Sequence, residues 1–205
     1  LLLLVTAHFC GGKLQQTLHK MPSETDWELI VVNKWNTIPD GYQTELTTLS
    51  NGKQVDSRIY PALQDLFDAM RADGIYPIVR EGYRTTTDQQ SILDDKIKAY
   101  EQEGLSSLLA KKMASEWVAA PGTSEHQLGI AVDINADKTK STNDEVYTWL
   151  AEHAWEYGFI LRYPKDKENV TGTGYEPWHY RYVGKEAAKE IWQESCCLEE
   201  YVTQN

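Results

Sequence analysis

Between residues 61 and 72 the apolar positions Leu63, Leu66, Phe67 and Met70 recur at intervals of three and four, which predicts an amphipathic helix with one face on a core. Gly74 ends it. Tyr76-Pro77-Ile78-Val79 reads as a strand, and Glu81-Gly82-Tyr83-Arg84 leads from it into a Thr-rich helix start. Residues 87–118 read as helical throughout, interrupted at Gly104, with Ile92, Leu93, Ile97, Leu108, Leu109, Met113 and Trp117 as buried positions.

Further strands are expected over residues 28–33, 129–135, 159–163 and 178–183, where β-branched and aromatic residues concentrate. A turn with Pro39 and Gly41 follows the first of these. Helices are expected over residues 143–157, which include Val146, Trp149, Leu150, His153 and Trp155, and over residues 185–194. Pro177 has no amide to give to a ladder, so the entry to the 178–183 strand is placed at an edge or a bulge. Strands mixed irregularly with helices, with no Gly-rich turn after the first strand, argue for an α+β fold rather than a doubly wound sheet. Residues 11–26 are polar and punctuated by Gly11-Gly12 and Pro22-Ser23, so residues 1–25 read as a linker or anchor remnant and residues 26–205 as one folded domain.

Charge narrows the partners. The 205 residues carry a formal net charge of −11 and no basic run, which argues against a nucleic-acid partner and for a solubilising acidic surface. The run Leu1-Leu2-Leu3-Leu4-Val5 is far shorter than the roughly 20 apolar residues of a membrane span. It reads as the stub of an anchor or signal segment or, equally, as an apolar first strand. Cys10, Cys196 and Cys197 match no structural zinc pattern, and they leave both the redox compartment and a bridge from Cys10 to either partner open.

Two short segments carry the chemistry: Ser124-Glu125-His126-Gln127-Leu128-Gly129-Ile130-Ala131-Val132-Asp133 and Glu176-Pro177-Trp178-His179. Together they offer imidazoles and carboxylates of the kind that catalytic zinc takes, with three protein ligands and one open position. His126, Asp133 and His179 fill the three places, and Glu176 remains as the general base for the attacking water. His126 and Asp133 are seven positions apart, so a straight strand would point them to opposite faces. The chain must bend between them, and Gly129 is the expected place. Tyr175 and Trp178 are expected to line the cleft, while the aromatic residues at 149, 155, 157, 163, 180 and 182 are expected in the core. His8, His19 and His153 lie in no comparable setting and are read as non-ligands.

These stretches carry a resemblance. Gly82-Tyr83-Arg84 with Gln89, Pro121 through Gly129 to Asp133, and Gly158-Phe159-Ile160-Leu161-Arg162-Tyr163-Pro164 through Glu176-Pro177-Trp178-His179 to Gly184 agree in order and spacing with the VanY-type zinc D-Ala-D-Ala carboxypeptidases. These belong to a wider group of peptidoglycan peptidases with the hedgehog-like metallopeptidase fold. The resemblance covers roughly residues 26–202. It implies a small antiparallel central sheet flanked by helices, Zn2+ on His126, Asp133 and His179, and Glu176 as the base. It also implies that Arg84 steadies the scissile carbonyl and that Ser124 and Gln89 help to place the terminal D-residue. The family usually has a small residue before Gly-Tyr-Arg where this chain has Glu81.

The expected activity is removal of the last D-Ala from a peptidoglycan stem pentapeptide ending in D-Ala-D-Ala, in the service of glycopeptide resistance or of routine wall remodelling. The same site also accommodates an L,D-carboxypeptidase, a D,D-dipeptidase or an endopeptidase, and a zinc-containing wall-binding module without turnover is the reading from another class. The substrate implies a place on the outer face of a bacterial membrane, with a tether through a missing N-terminal segment.

Overall fold

The computed structural model describes residues 27–204. In chain order the elements are β1 (Leu46–Thr48), β2 (Gln54–Asp56), α1 (Tyr60–Ala72), β3 (Pro77–Glu81), α2 (Thr86–Gln102), α3 (Ser107–Ser115), β4 (Ala131–Ala136), α4 (Asn143–His153), β5 (Phe159–Leu161), α5 (Glu168–Thr171), β6 (His179–Tyr182), α6 (Lys185–Glu194) and α7 (Leu198–Gln204). Short 3-10 turns occupy Trp27–Leu29, Glu125–Leu128 and Ala154–Tyr157.

The central sheet has four strands in the order β3-β4-β6-β5, all neighbours antiparallel. This is the expected α+β architecture. Alternation along β4 divides its work: Val132, Ile134 and Ala136 face the main core with Tyr180, Phe159 and the buried stripe Leu63, Leu66, Phe67 and Met70 of α1, while Asp133 points to the other face. The register puts Glu81, Asp133 and His179 in one row across β3, β4 and β6. A smaller core of Ile160, Val183, Ala187, Ala188, Ile191 and Leu198 seats α6 and α7 against β5.

Helix starts follow the sequence closely. Thr85 and Asp88 form a reciprocal capping box at α2, and Thr142 and Glu145 form another at α4, each satisfying amides that a helix start leaves unpaired. The helix at 143–157 is an α-helix to His153 continued by a 3-10 turn to Tyr157.

Three expectations are corrected. Residues 28–33 form no strand: the carbonyls of Glu28 and Ile30 each accept from Arg181 Nη2 at 2.9 Å, so a guanidinium takes the place of a ladder partner. The 87–118 stretch breaks at Gly104 as expected, into α2 and α3, but little of it is buried. Leu108, Leu109 and Trp117 are 82%, 46% and 68% exposed, and only Gln89, Ala110 and Ala114 are buried in these helices. Small alanines, rather than the large apolar residues, make the close contact. The strand after Pro177 is interior, paired on both sides; Pro177 stands in the turn before it, where no ladder amide is required. The β1–β2 hairpin and α7 were not anticipated: three-residue strands are too short to show alternation.

The expectations on residues 1–25, including the anchor remnant and Cys10, lie outside the described residues. Among the described residues Cys196 and Cys197 are free thiols, and no helix is long and apolar enough to cross a membrane.

Candidate metal and peptide site

His126 sits in the 3-10 turn Glu125–Leu128, Asp133 on β4 and His179 at the start of β6. The turn ends at Gly129, whose φ of +78° is a conformation that side chains other than glycine's rarely adopt. This is the expected bend, and it brings His126 back over Asp133. One ligand atom from each of His126, Asp133 and His179 falls within 4.8 Å of the others. Asp133 Oδ1 lies 3.4 Å from His126 Nε2 and 3.1 Å from His179 Nδ1.

The donor set fits a small divalent cation. His126 Nδ1 lies 2.8 Å from the Gly82 carbonyl, which accepts its proton and so fixes the tautomer. Burial lowers the His126 pKa, so the ring is neutral and its Nε2 lone pair faces a carboxylate oxygen. That oxygen is itself buried without a hydrogen-bond partner. Two lone pairs face each other unless a cation stands between them. The separations also suit tetrahedral zinc, whose bonds of about 2.0–2.2 Å put ligand atoms some 3.3 Å apart.

Gly82 makes the His126 contact possible. A Cβ there would lie 2.2 Å from the Gln54 carbonyl oxygen, so only glycine lets the end of β3 pass β2 this closely. The neighbouring Tyr83 amide donates to that same carbonyl.

Beneath the imidazoles lies a buried ionic network that sequence reasoning missed. Glu125 is fully buried, and its Oε1 accepts from Arg162 Nε and Arg181 Nη1, each at 2.7 Å. Burial would raise the Glu125 carboxyl, but the two guanidiniums and His179 hold it well below the usual carboxylate range. Its Oε2 lies 3.6 Å from His179 Nε2. The signal was present in the motif as an acid beside a ligand, but nothing in the sequence pairs it with arginines 37 and 56 positions away.

A cleft of about 220 Å³ opens over this cluster. Glu176 lines it, with Oε2 3.7 Å from His179 Nδ1 and its backbone tied to Tyr163 and His179. Burial pushes the Glu176 carboxyl up, as does the charge of Asp133, against the opposing pull of His179 and Arg84. Arg84 lines the cleft as well, with Nη2 3.9 Å from Asp133 Oδ2 and Nε 3.7 Å from Glu81 Oε2. Glu81 also accepts from Lys53 Nζ at 3.0 Å. It is absent from the cleft lining, so the departure at this position braces Arg84 from behind.

The remaining expected residues divide. Ser124 and Trp178 line the cleft. Gln89 lines it too, but it is 1% exposed and both ends of its amide are engaged: Oε1 accepts from Arg84 Nη1 at 3.4 Å and Nε2 donates to the Ala119 carbonyl at 2.7 Å. It holds Arg84 and the wall at Ala119 in place. Tyr175 lies outside the lining, its ring under Lys165 Nζ. Tyr163, expected in the core, is buried yet reaches the cleft, with its ring centroid 4.8 Å from that of His179. Asn33, Lys34, Trp117, Thr123 and Thr173 are among the wall residues that were not anticipated, Trp117 being expected in the core.

Comparison with known proteins bears on this geometry. Residues 52–185 match the VanY family model, described as D-alanyl-D-alanine carboxypeptidase. The chain belongs to the VanY family. A relative from Enterococcus faecalis, a D-alanyl-D-alanine carboxypeptidase, is 58% identical over 186 residues, which is 91% of this chain and 69% of the relative. Among solved structures, a variant of the vancomycin resistance D,D-pentapeptidase VanY in complex with Zn(II) is 60% identical with a TM-score of 0.83, and covers 86% of this chain and 99% of that one. VanYB in complex with D-alanine-D-alanine is 59% identical, also with a TM-score of 0.83, over 86% and 98% of the two chains. The mixed fold with its antiparallel sheet is thus the VanY peptidase fold.

Proposed function

We propose that this protein is a zinc-dependent D,D-carboxypeptidase that removes the terminal D-Ala from peptidoglycan stem pentapeptides. The observation that carries the reading is the position of Glu176. Its carboxylate lies outside the three-residue cluster yet opens into the same cleft, 3.7 Å from His179 Nδ1. A wall-binding module without turnover has no need of a carboxylate there. The relatives support the reading through the zinc and the D-Ala-D-Ala found in their complexes.

His126, Asp133 and His179 would hold the metal. When bound, zinc acts as a Lewis acid on the scissile carbonyl and makes water acidic near neutrality. Glu176 takes the proton from the attacking water at its carboxylate, and a raised carboxyl pKa suits that task at neutral pH. As the water oxygen bonds to the carbonyl carbon, negative charge grows on the carbonyl oxygen. Arg84 stabilises it from the cleft wall, held there by Gln89, Glu81 and the Asp133 carboxylate. Glu176 then passes its proton to the leaving D-Ala nitrogen as the C–N bond breaks. No covalent intermediate with the protein is needed.

The test is product analysis with three substrates: pentapeptide, tetrapeptide and free D-Ala-D-Ala. Release of one D-Ala from the pentapeptide, abolished by a chelator, is the expected result. Activity confined to the free dipeptide or to the tetrapeptide would replace the assignment with a D,D-dipeptidase or an L,D-carboxypeptidase.

This substrate calls for a location on the outer face of a bacterial membrane, with a tether N-terminal to the domain, and it connects the activity to glycopeptide resistance. Cell fractionation tests the location; a cytoplasmic pool would count against it.

A further inference from the structure

The buried network under the metal cluster does not end at Glu125. Arg162, fully buried, donates Nε to Glu125 Oε1 at 2.7 Å and turns the other edge of its guanidinium toward α7. There it makes a paired contact with Glu199: Nη1 to Oε2 at 2.8 Å and Nη2 to Oε1 at 2.6 Å. A planar guanidinium bound by two carboxylates on two edges has almost no rotational freedom left. Asn33 Nδ2 also donates to Glu199 Oε1, at 2.9 Å, and Asn33 lines the cleft. At the opposite end, Glu125 Oε2 and His179 Nε2 lie 3.6 Å apart, both buried and neither with a hydrogen-bond partner. A chain of ionic contacts therefore runs from α7 to the back of a metal-binding imidazole, and Glu199 stands outside the stretch that matches the family model.

We propose that Glu199 is a positioning residue for the metal centre: through Arg162 it fixes the Glu125 carboxylate that orients His179, so that α7 sets how tightly the centre holds zinc. The inference rests on the zinc reading above. The physical basis is that a metal-binding imidazole needs its far nitrogen held by an acceptor, and that acceptor must itself be held. Glu125 has its Oε1 committed to two arginines. Arg181 is anchored by the Glu28 and Ile30 carbonyls, but Arg162 is anchored by Glu199. Without the Glu199 charge, Arg162 is free to swing, and the Glu125 carboxylate swings with it.

The experiment is zinc affinity, measured on the whole chain by competition with a chromophoric chelator, alongside the urea unfolding midpoint. Glu199→Gln keeps the shape of the side chain and removes its charge. Its zinc affinity is expected to fall about tenfold, the lower end of what outer partners of metal ligands contribute. Glu200→Gln is the control: Glu200 lies on the same helix and holds Lys167 at 2.7 and 2.9 Å, with no contact to the network. It removes an ion pair of α7 outside the network and should leave zinc affinity unchanged. An unchanged affinity in Glu199→Gln, or an equal loss in Glu200→Gln, overturns the proposal. Should Glu199→Gln not fold, Asn33→Asp serves in its place. It keeps the oxygen that accepts from the Trp35 and Asn36 amides but sets a charge against Glu199; a threefold or greater loss of affinity supports the proposal, and none overturns it. A wild-type protein that binds no zinc defeats the functional reading itself, before any variant is compared.

Discussion

Asp133 and His179 face each other across β4 and β6, and the carboxylate Oδ1 of one lies 3.1 Å from the imidazole Nδ1 of the other. Asp133→Asn keeps the shape and the strand register but replaces an anionic ligand with a neutral amide. Zinc affinity should fall by more than the roughly 10–100-fold typical of changes outside the ligand set. Chelator competition measures this, and a variant that retains wild-type affinity would remove Asp133 from the centre.

Glu176 is placed to move a proton rather than to bind metal. Glu176→Gln is expected to leave zinc bound at wild-type affinity while kcat drops about 10²–10⁴-fold, the range of a positioned general base. Loss of the metal along with activity would make Glu176 a ligand instead.

His179 links metal binding to pH. Burial alone would lower its pKa, but Asp133 and Glu125 beside it, with Glu176 beyond, raise it to about 9. Because the folded value exceeds the ordinary one of about 6.5, the metal-free protein gains stability that is fully present below about pH 6.5 and lost as pH rises through about 9. Zinc requires the neutral ring, so binding expels a proton across this window. Apparent zinc affinity should rise about tenfold per pH unit between pH 7 and 9. Titration calorimetry in buffers of different ionisation enthalpy reads the proton directly, and heats independent of the buffer would contradict the assignment.

Gly82→Ala tests how the sheet supports His126. The added methyl would meet the Gln54 carbonyl oxygen at 2.2 Å, so β2 or β3 must shift. A loss of about 1–3 kcal/mol in urea unfolding is expected. Zinc affinity should fall with it, since the Gly82 carbonyl orients the His126 ring. An alanine variant as stable as wild type would show that the two strands part without strain.

How much of this was legible in the sequence differs by the range of the interaction. His126, Asp133, Glu176 and His179 were visible because residue type and short spacing limit what they can do, and the bend at Gly129 followed from the parity of a strand. α1 and α6 were legible because their apolar faces run for two turns or more. The α2–α3 region misled because its large apolar residues lie on the exposed side while Ala110 and Ala114 make the buried contact. Nothing in the sequence marks Arg162 and Arg181 as buried. Their burial is set by Glu125 and Glu199, and those pairings come from the folded topology alone.

The row of Glu81, Asp133 and His179 across three strands has a consequence for how this scaffold diversifies. Asp133 and His179 are hung on a hydrogen-bonded ladder whose spacing is inflexible, whereas much of the sides of the cleft comes from irregular stretches around Lys34, between Trp117 and Thr123, and at Gly172 and Thr173. A fixed floor with replaceable sides lets the choice of peptide drift through those stretches while the cation keeps its place.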